Sequence, residues 1–343
     1  MLVLLSSVWL LTTSSSAQVE PAPAEGALTT LGTLKSKKIT ESSGLARSHF
    51  IEDAWWTMND SGHGTAVYMF GDKGQTIADC NLKNAKNRDW EAMASFQRDG
   101  KNYLLVADVG DNVSRRERCQ LYIFEEPKFK PKKKKSYSKK LKATRLEFRY
   151  EDGPRNCEAV ACVPDGESVF LIEKIFLETN KRRQPGIYEL KLPPLKPPLN
   201  EDEDGQDEEN TMLVAKRIAS FPFRGVTGMS ISPNGKRLVI RNYLSAHLFE
   251  RVAVDGKLPT WEQVFRDSKP KSVPMPLQVQ GEAICFTRDN NHLIVTSETA
   301  RQTIWKVNVA SQQESQDDVH QEEPTTTNGI EQSTTPLKTN EAQ

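Results

Sequence analysis

The chain has little of what most quickly assigns a function. Its 343 residues carry 46 Lys+Arg against 46 Asp+Glu. No net charge therefore draws it to nucleic acid or to an anionic membrane surface. Five cysteines, Cys80, Cys119, Cys157, Cys162 and Cys285, fit neither a disulfide-dense scaffold nor a zinc-binding spacing. Their odd number leaves at least one thiol unpaired, so at most one or two bridges are expected, with buried thiols as the alternative. Beyond the N-terminus no apolar run reaches the length that spans a bilayer. Helical periodicity is also missing throughout.

The N-terminus is the exception to the scarcity of apolar runs. Leu2–Leu11 is apolar and is followed by small residues ending in Ser15, Ser16 and Ala17. This reads as a signal peptide over 1–17, although it lacks a basic leading segment, and predicts a secreted or periplasmic protein. A linker over 18–28, a repetitive body over 29–309 and a disordered polar tail over 310–343 complete the expected organisation.

The body repeats itself. The blocks "ESSGLARS", "DWEAMASF", "NCEAVACV", "VTGMSISP" and "QGEAICFT" share one pattern, aligned on Gly44, Glu91, Glu158, Gly228 and Glu282. Successive aligned positions lie 47, 67, 70 and 54 residues apart, a spacing that points to a β-propeller or a solenoid. Most blocks lead through a short apolar strand to a turn, "RDGK", "PDGE", "PNGK" or "RDNN". Asp-Gly and Asn-Gly between apolar runs are hairpin signals, because both residues tolerate positive φ. A second strand returns and a third follows. Fourth strands are predicted at 75–82, 144–150, 212–221 and 261–265.

Runs of short antiparallel strands predict an all-β fold, a five-bladed β-propeller, with six blades as the alternative. The last block lacks a fourth strand, and the segment 29–40 lacks a partner. Pairing them closes the ring with the N-terminal strand and removes two exposed edges. A basic insertion, 128–142, and an acidic one, 200–210, are predicted to be solvated loops.

Strand direction places the start of every block on one face, around the central axis. Glu91, Glu158 and Glu282 would converge there from three blades, with the hydroxyls of Ser43 and Thr227 from the other two. Carboxylates crowded on one axis repel each other and would titrate high unless a cation intervenes. A ring of hard oxygens suits Ca²⁺, whereas Mg²⁺ demands stricter octahedral geometry. The competing expectation pairs each glutamate with a nearby arginine, Arg88, Arg155 or Arg224. Loops on the same face bring Asp60, His63 and Asp111 within reach of the axis. Arg115, Arg116 and Arg241 stand among a cationic rim suited to an anionic ligand.

The succession "NDSG", "NRDWEAMA", "DVGDN" and "LYIFEEP" resembles a group of secreted bacterial propellers of unassigned activity, over roughly residues 40–310. More distantly, "WEAMASF", "CEAVACV", "GVTGMSISPNGKRLVI" and "GEAICF" are similar to the inner-strand segments of the calcium-activated apyrases. That resemblance implies a five-bladed propeller with one axial Ca²⁺ held by Glu91, Glu158, Thr227 and Glu282. Ser43 would be the remaining ligand. The outer loops differ from that family, and no counterpart of its nucleotide-base pocket is visible.

Three functions follow as expectations. The first is a calcium-dependent phosphohydrolase in which Asp60, His63 or Asp111 deprotonates water and Arg115, Arg116 or Arg241 stabilises phosphoryl charge. The second is a non-enzymatic propeller in which calcium locks the ring and the loops hold a cell-surface partner. The third, weaker, is a lactonase- or esterase-like propeller. A monomer that binds a small anionic ligand or a cell-surface partner, with no nucleic acid partner and no membrane span, is expected.

Overall fold

A computed structural model describes residues 27–130, 136–175, 183–195 and 212–310. The predicted signal peptide, nearly all of the linker, the acidic insertion and the tail beyond Ala310 lie outside the described residues.

The strands fall into antiparallel quartets. After β1 (Leu28–Thr33), the first quartet is β2 (Gly44–Arg47), β3 (Ala54–Met58), β4 (Ala66–Gly71) and β5 (Thr76–Leu82). The second begins with β6 (Trp90–Arg98), β7 (Lys101–Asp108) and β8 (Cys119–Glu125). After β9 (Tyr137–Leu141) it ends with β10 (Thr144–Tyr150). The third is β11 (Cys157–Cys162), β12 (Ser168–Glu173), β13 (Gly186–Lys191) and β14 (Leu213–Ser220). The fourth is β15 (Val226–Ile231), β16 (Arg237–Asn242), β17 (Ala246–Glu250) and, after the helix α1 (Trp261–Asp267), β18 (Lys271–Val273). The last is β19 (Gly281–Phe286), β20 (His292–Ser297) and β21 (Thr303–Asn308), whose outer edge pairs antiparallel with β1.

The hairpins follow from the turn chemistry. Arg98 pairs with Lys101, and the two residues between them, Asp99 and Gly100, have φ of 50° and 72°. Positive φ at both positions matches the right-handed twist of the flanking strands. In "VPDG" the Gly166 amide donates to the Val163 carbonyl at 2.9 Å, closing a turn with Pro at its second position.

The first strands of the quartets form a closed cycle. β2 lies beside β6, β6 beside β11, β11 beside β15, β15 beside β19, and β19 beside β2. Apolar layers fill the spaces between neighbouring quartets. Trp56 and Trp90 meet in one, Phe96 and Tyr188 in the next, Phe170 and Phe249 in a third, Val239 and Phe286 in a fourth. Trp55 and Ile304 join the last quartet to the first. Each sheet is thus covered on both faces. Strands such as β3 and β12 are therefore buried at every position rather than alternately. This is the architecture of a β-propeller.

Three elements differ from the sequence expectation. Residues 261–265 form a helix instead of a fourth strand. Thr260 and Gln263 make a capping box, and Trp261, Val264 and Phe265 bury one helical face. β18 takes the outer-strand place. Within the basic insertion, β9 is a strand pairing in parallel with β5. All five cysteines are buried free thiols.

Candidate metal centre on the propeller axis

The glutamate positions coincide with breaks in the strand ladders. Pairing of β6 with β7 shifts register between Trp90 and Ala92, and that of β11 with β12 between Cys157 and Ala159. The same shift occurs between Val226 and Gly228, and between Gly281 and Ile284. Each bulge leaves Glu91, Glu158, Thr227 or Glu282 outside the regular pairing. A bulge bends the strand and re-aims the side chain at the extra residue. The residue that follows is always small: Gly44, Ala92, Ala159, Gly228 or Ala283. A Cβ on Gly44 would collide with the β6 backbone at Ala92 and Met93, and one on Gly228 with the Glu282 carbonyl. The repeat is therefore aligned on Ser43 and Thr227, not on the glycines, with the small residue required by close approach of adjacent inner strands.

Glu91, Glu158 and Glu282 are each at most 5% exposed, and oxygens of all three lie within 4.8 Å of one another. Asp60 and Asp89 form a second such group that shares Glu91. Burial pushes Glu91 well above the usual carboxylate range, and the charges of Glu158, Asp60, Asp89 and Glu282 add to the rise. Glu282 is raised to about 10 by burial, then by Glu298 and Glu158. Glu158 is raised to about 7 by burial, against the opposing pull of Lys174. Asp60 stands at about 6 through burial, opposed by the Ser61 amide and reinforced by Glu298 and Asp89.

The surrounding groups are polar and ordered. The Lys174 ammonium donates to Glu158 and, at 2.8 Å, to the Tyr243 hydroxyl, which donates to Glu282 at 3.2 Å. Ser43 Oγ donates to Glu298 at 2.6 Å, and Thr227 Oγ1 donates to the Gly281 carbonyl at 3.1 Å. Both hydroxyls keep lone pairs free of these bonds. Gly110 crosses over the cluster, where any Cβ would strike the carboxylates of Glu91 and Asp89.

Two of the arginines expected to neutralise the glutamates, Arg155 and Arg224, bond elsewhere. Arg155 pairs with Asp152 at 2.8 Å and Glu173 at 3.6 Å, and Arg224 donates to the Arg183 carbonyl. Arg88 is exposed.

Other expected site residues divide sharply. Asp60 joins the cluster. His63 is exposed, with Nδ1 at 3.2 Å from Glu41 and Nε2 at 3.0 Å from Thr40 Oγ1. Asp111 is buried, and its carboxylate accepts the Arg116 amide at 2.6 Å. Arg115 is exposed. Arg116 does not stand on a free cationic rim: it pairs with Asp108 at 2.8 Å and donates to Gly110 O. Arg241 is likewise no rim residue. It is 1% exposed, tucked against Gly281 and donating to the Ala283 carbonyl at 3.3 Å. Burial lowers it to about 10, against the charge of Glu282. Lys181 and Arg182, also expected on the cationic rim, lie outside the described residues. Asp89 and Tyr243 were not singled out by the sequence. Asp89 had one available signal, its place two residues before Glu91 at the start of a bulged strand.

No family model and no curated protein matches the chain. Among solved structures it is similar to a PQQ-bound aldose sugar dehydrogenase from Streptomyces coelicolor (8% identity, 84% of this chain and 99% of that one, TM-score 0.44). It is also similar to the β-propeller domain of Cps50 (Swd1) from Myceliophteria thermophila (12%, 82% and 100%, TM-score 0.40). A functionally unknown protein from Desulfotomaculum acetoxidans is a third (12%, 79% and 72%, TM-score 0.40). Likeness at this level concerns fold alone. No described helix is long and apolar enough to cross a membrane.

Proposed function

We propose that the chain is a secreted or periplasmic five-bladed propeller that binds one calcium ion on its axis and hydrolyses a small phosphoric ester or anhydride beside it. The observation that carries this reading is the meeting of Glu91, Glu158 and Glu282, buried, with oxygens within 4.8 Å. Lys174 meets only Glu158, so a further positive charge is what would let all three ionise together. The donor set is oxygen only: carboxylates plus the lone pairs of Ser43 and Thr227. Such a set fits a hard cation with loose geometry.

When bound, calcium would polarise a phosphoryl oxygen. The chain's own residues supply the remainder. Asp60, at about 6, is ionised near neutrality and basic enough to take a proton from water. His63 beside Glu41 is a second acceptor at the exposed rim. Arg115 is the exposed arginine left to meet a phosphate.

A specific observation favours a second reading, a calcium-stabilised binding module for a cell-surface or small anionic partner. Arg116 and Arg241 are held by internal contacts, which reduces the cationic groups available to a transition state. The lactonase- or esterase-like reading has no observation of its own.

Thermal melting in EDTA and in calcium, followed by a phosphate-release screen over nucleotides and sugar phosphates, separates these. Calcium is expected to raise the melting point, by about 2.7 kcal/mol of stability at a hundredfold excess over Kd. Release above background that disappears in Glu91→Gln supports hydrolysis. Stabilisation with background release in both proteins supports the binding module. A melting point indifferent to calcium and EDTA removes the metal site and both readings built on it.

A further inference from the structure

A cleft of about 640 Å³ lies at the end of the ring away from the axial carboxylates. β6 starts beside Glu91 and finishes at Arg98, and the cleft opens where β7 returns from that turn, at Lys101 and Tyr103. Residues 123–128 and 139–142 form its other walls.

Five lysines line it, Lys101, Lys128, Lys139, Lys140 and Lys142, and all five are exposed. Three carboxylates accompany them. Glu126 is buried and accepts from Ser48 Oγ at 2.6 Å and Trp56 Nε1 at 3.0 Å, so its oxygens are engaged below the surface. Glu125 accepts from Lys101 at 3.2 Å, and Asp99 is exposed. Positive groups thus outnumber negative ones here, although the whole chain is neutral. Pairing of β9 with β5 holds Lys139 and Lys140 on a sheet edge rather than on a free loop. The Lys128 ammonium stands over the Phe50 ring, 5.0 Å from its centroid. Charges of one sign gathered along a concave surface concentrate the opposite charge there.

Between the lysines the lining is apolar. Tyr103, Leu141 and Leu195 are half-buried there, packed on the apolar layers beneath. Tyr103 stacks on Phe96 with centroids 5.4 Å apart, which fixes its ring. Cationic walls over an apolar floor match a chain of acidic sugars. The C–H faces of pyranose rings are apolar, and their sulfates or carboxylates project from the ring edges toward cations. A bilayer presents its anions on a plane, which cannot enter a cleft. A single nucleic-acid strand stacks successive bases on successive rings, and Tyr103 is the one half-exposed ring of this lining. An acidic polypeptide supplies the charge but leaves the floor uncovered.

We propose that this cleft binds a linear anionic polysaccharide. The five lysines hold its sulfate or carboxylate groups, and its rings lie on Tyr103, Leu141 and Leu195. The site is at the opposite end of the ring from Glu91 and does not depend on calcium.

The test applies the full chain to immobilised dextran sulfate and polygalacturonate, with neutral dextran, polyglutamate and oligo-dT as comparisons. Retention on at least one anionic polysaccharide is expected, and which one retains the chain distinguishes sulfate from carboxylate. Retention should fall as salt is raised and be absent on neutral dextran. Binding to polyglutamate should be about tenfold weaker, because nothing covers the floor. Lys139→Gln/Lys140→Gln/Lys142→Gln should weaken polysaccharide binding by about tenfold. Lys37→Gln/Lys216→Gln/Lys257→Gln removes the same charge from exposed positions elsewhere and should bind as wild type. Glu91→Gln should also bind as wild type, so loss of the calcium site leaves this result readable. If the β9 variant melts early, Lys101→Gln with Lys128→Gln decides in its place, with a comparable loss expected. No retention on either polysaccharide at low salt, equal losses in the two triple variants, or equally tight binding to polyglutamate or oligo-dT overturns the proposal.

Discussion

At the scale of single residues, charge and shape make opposite demands on the axial cluster. Glu282 is raised to about 10, so the metal-free protein holds it protonated near neutral pH. Glu282→Gln copies that neutral state in nearly the same volume. We therefore expect its metal-free melting point to equal or exceed wild type, while calcium affinity falls by about two orders of magnitude through loss of a ligand charge. Titration calorimetry with parallel melts checks both halves; unchanged calcium binding would remove Glu282 from the ligand set. Gly110 makes the complementary, steric demand. In Gly110→Ala the new Cβ meets the carboxylates of Glu91 and Asp89, which must shift to admit it. The expected loss is about 1–3 kcal/mol in denaturant unfolding, with weaker calcium binding. Tolerance of alanine there would mean that the "DVGDN" loop does not press on the cluster.

At the scale of elements, the closing strand and the one short helix are the informative cases. β1 covers the outer edge of β21, and Leu28 and Leu31 pack on the apolar layers beside it. A chain lacking Leu28–Thr33 exposes that edge and unpins the last quartet from the first. A loss of several kcal/mol and concentration-dependent aggregation are expected, read by melting and light scattering. Thr260→Ala removes the capping box of α1 and should cost about 1 kcal/mol without altering calcium binding. These elements also show what the sequence could reveal. Hairpins were legible because Asp-Gly, Pro-Asp-Gly and Pro-Asn-Gly encode local backbone geometry. The helix was misread as a strand because "WEQVF" is short and aromatic, and its helical signal lies in the pair Thr260 and Gln263. β9 was missed because its partner, β5, is more than fifty residues away and its lysines resemble a solvated loop. The bulges were invisible for another reason. A one-residue insertion in a strand buried on both faces disturbs no alternation, since there is none to disturb. The convergence of Glu91, Glu158 and Glu282 was legible from the repeat. The neighbours Asp89 and Tyr243, and the inward turn of Arg241, depend on packing between quartets that no single repeat records.

At the scale of the whole molecule, the axial carboxylates link folding to pH and to metal. Glu158 stands at about 7 and Asp60 at about 6, with Glu91 and Glu282 also raised. In the unfolded chain all four return to ordinary values near 4. Between those limits the metal-free folded state binds protons that the unfolded state has released. The associated stability is fully present below the unfolded values and is lost as pH rises through the folded ones. In EDTA the melting point should therefore fall between about pH 5 and pH 8. Calcium reverses the demand, because it requires ionised carboxylates. Its binding should displace protons, and its stabilising effect should grow over the same interval and flatten the decline. Glu282→Gln removes one titrating group and should shorten the metal-free decline without abolishing it. Melting across that range, with and without calcium, reads all three outcomes. If the metal-free melting point were level from pH 5 to pH 8, the glutamates would not be crowded on the axis.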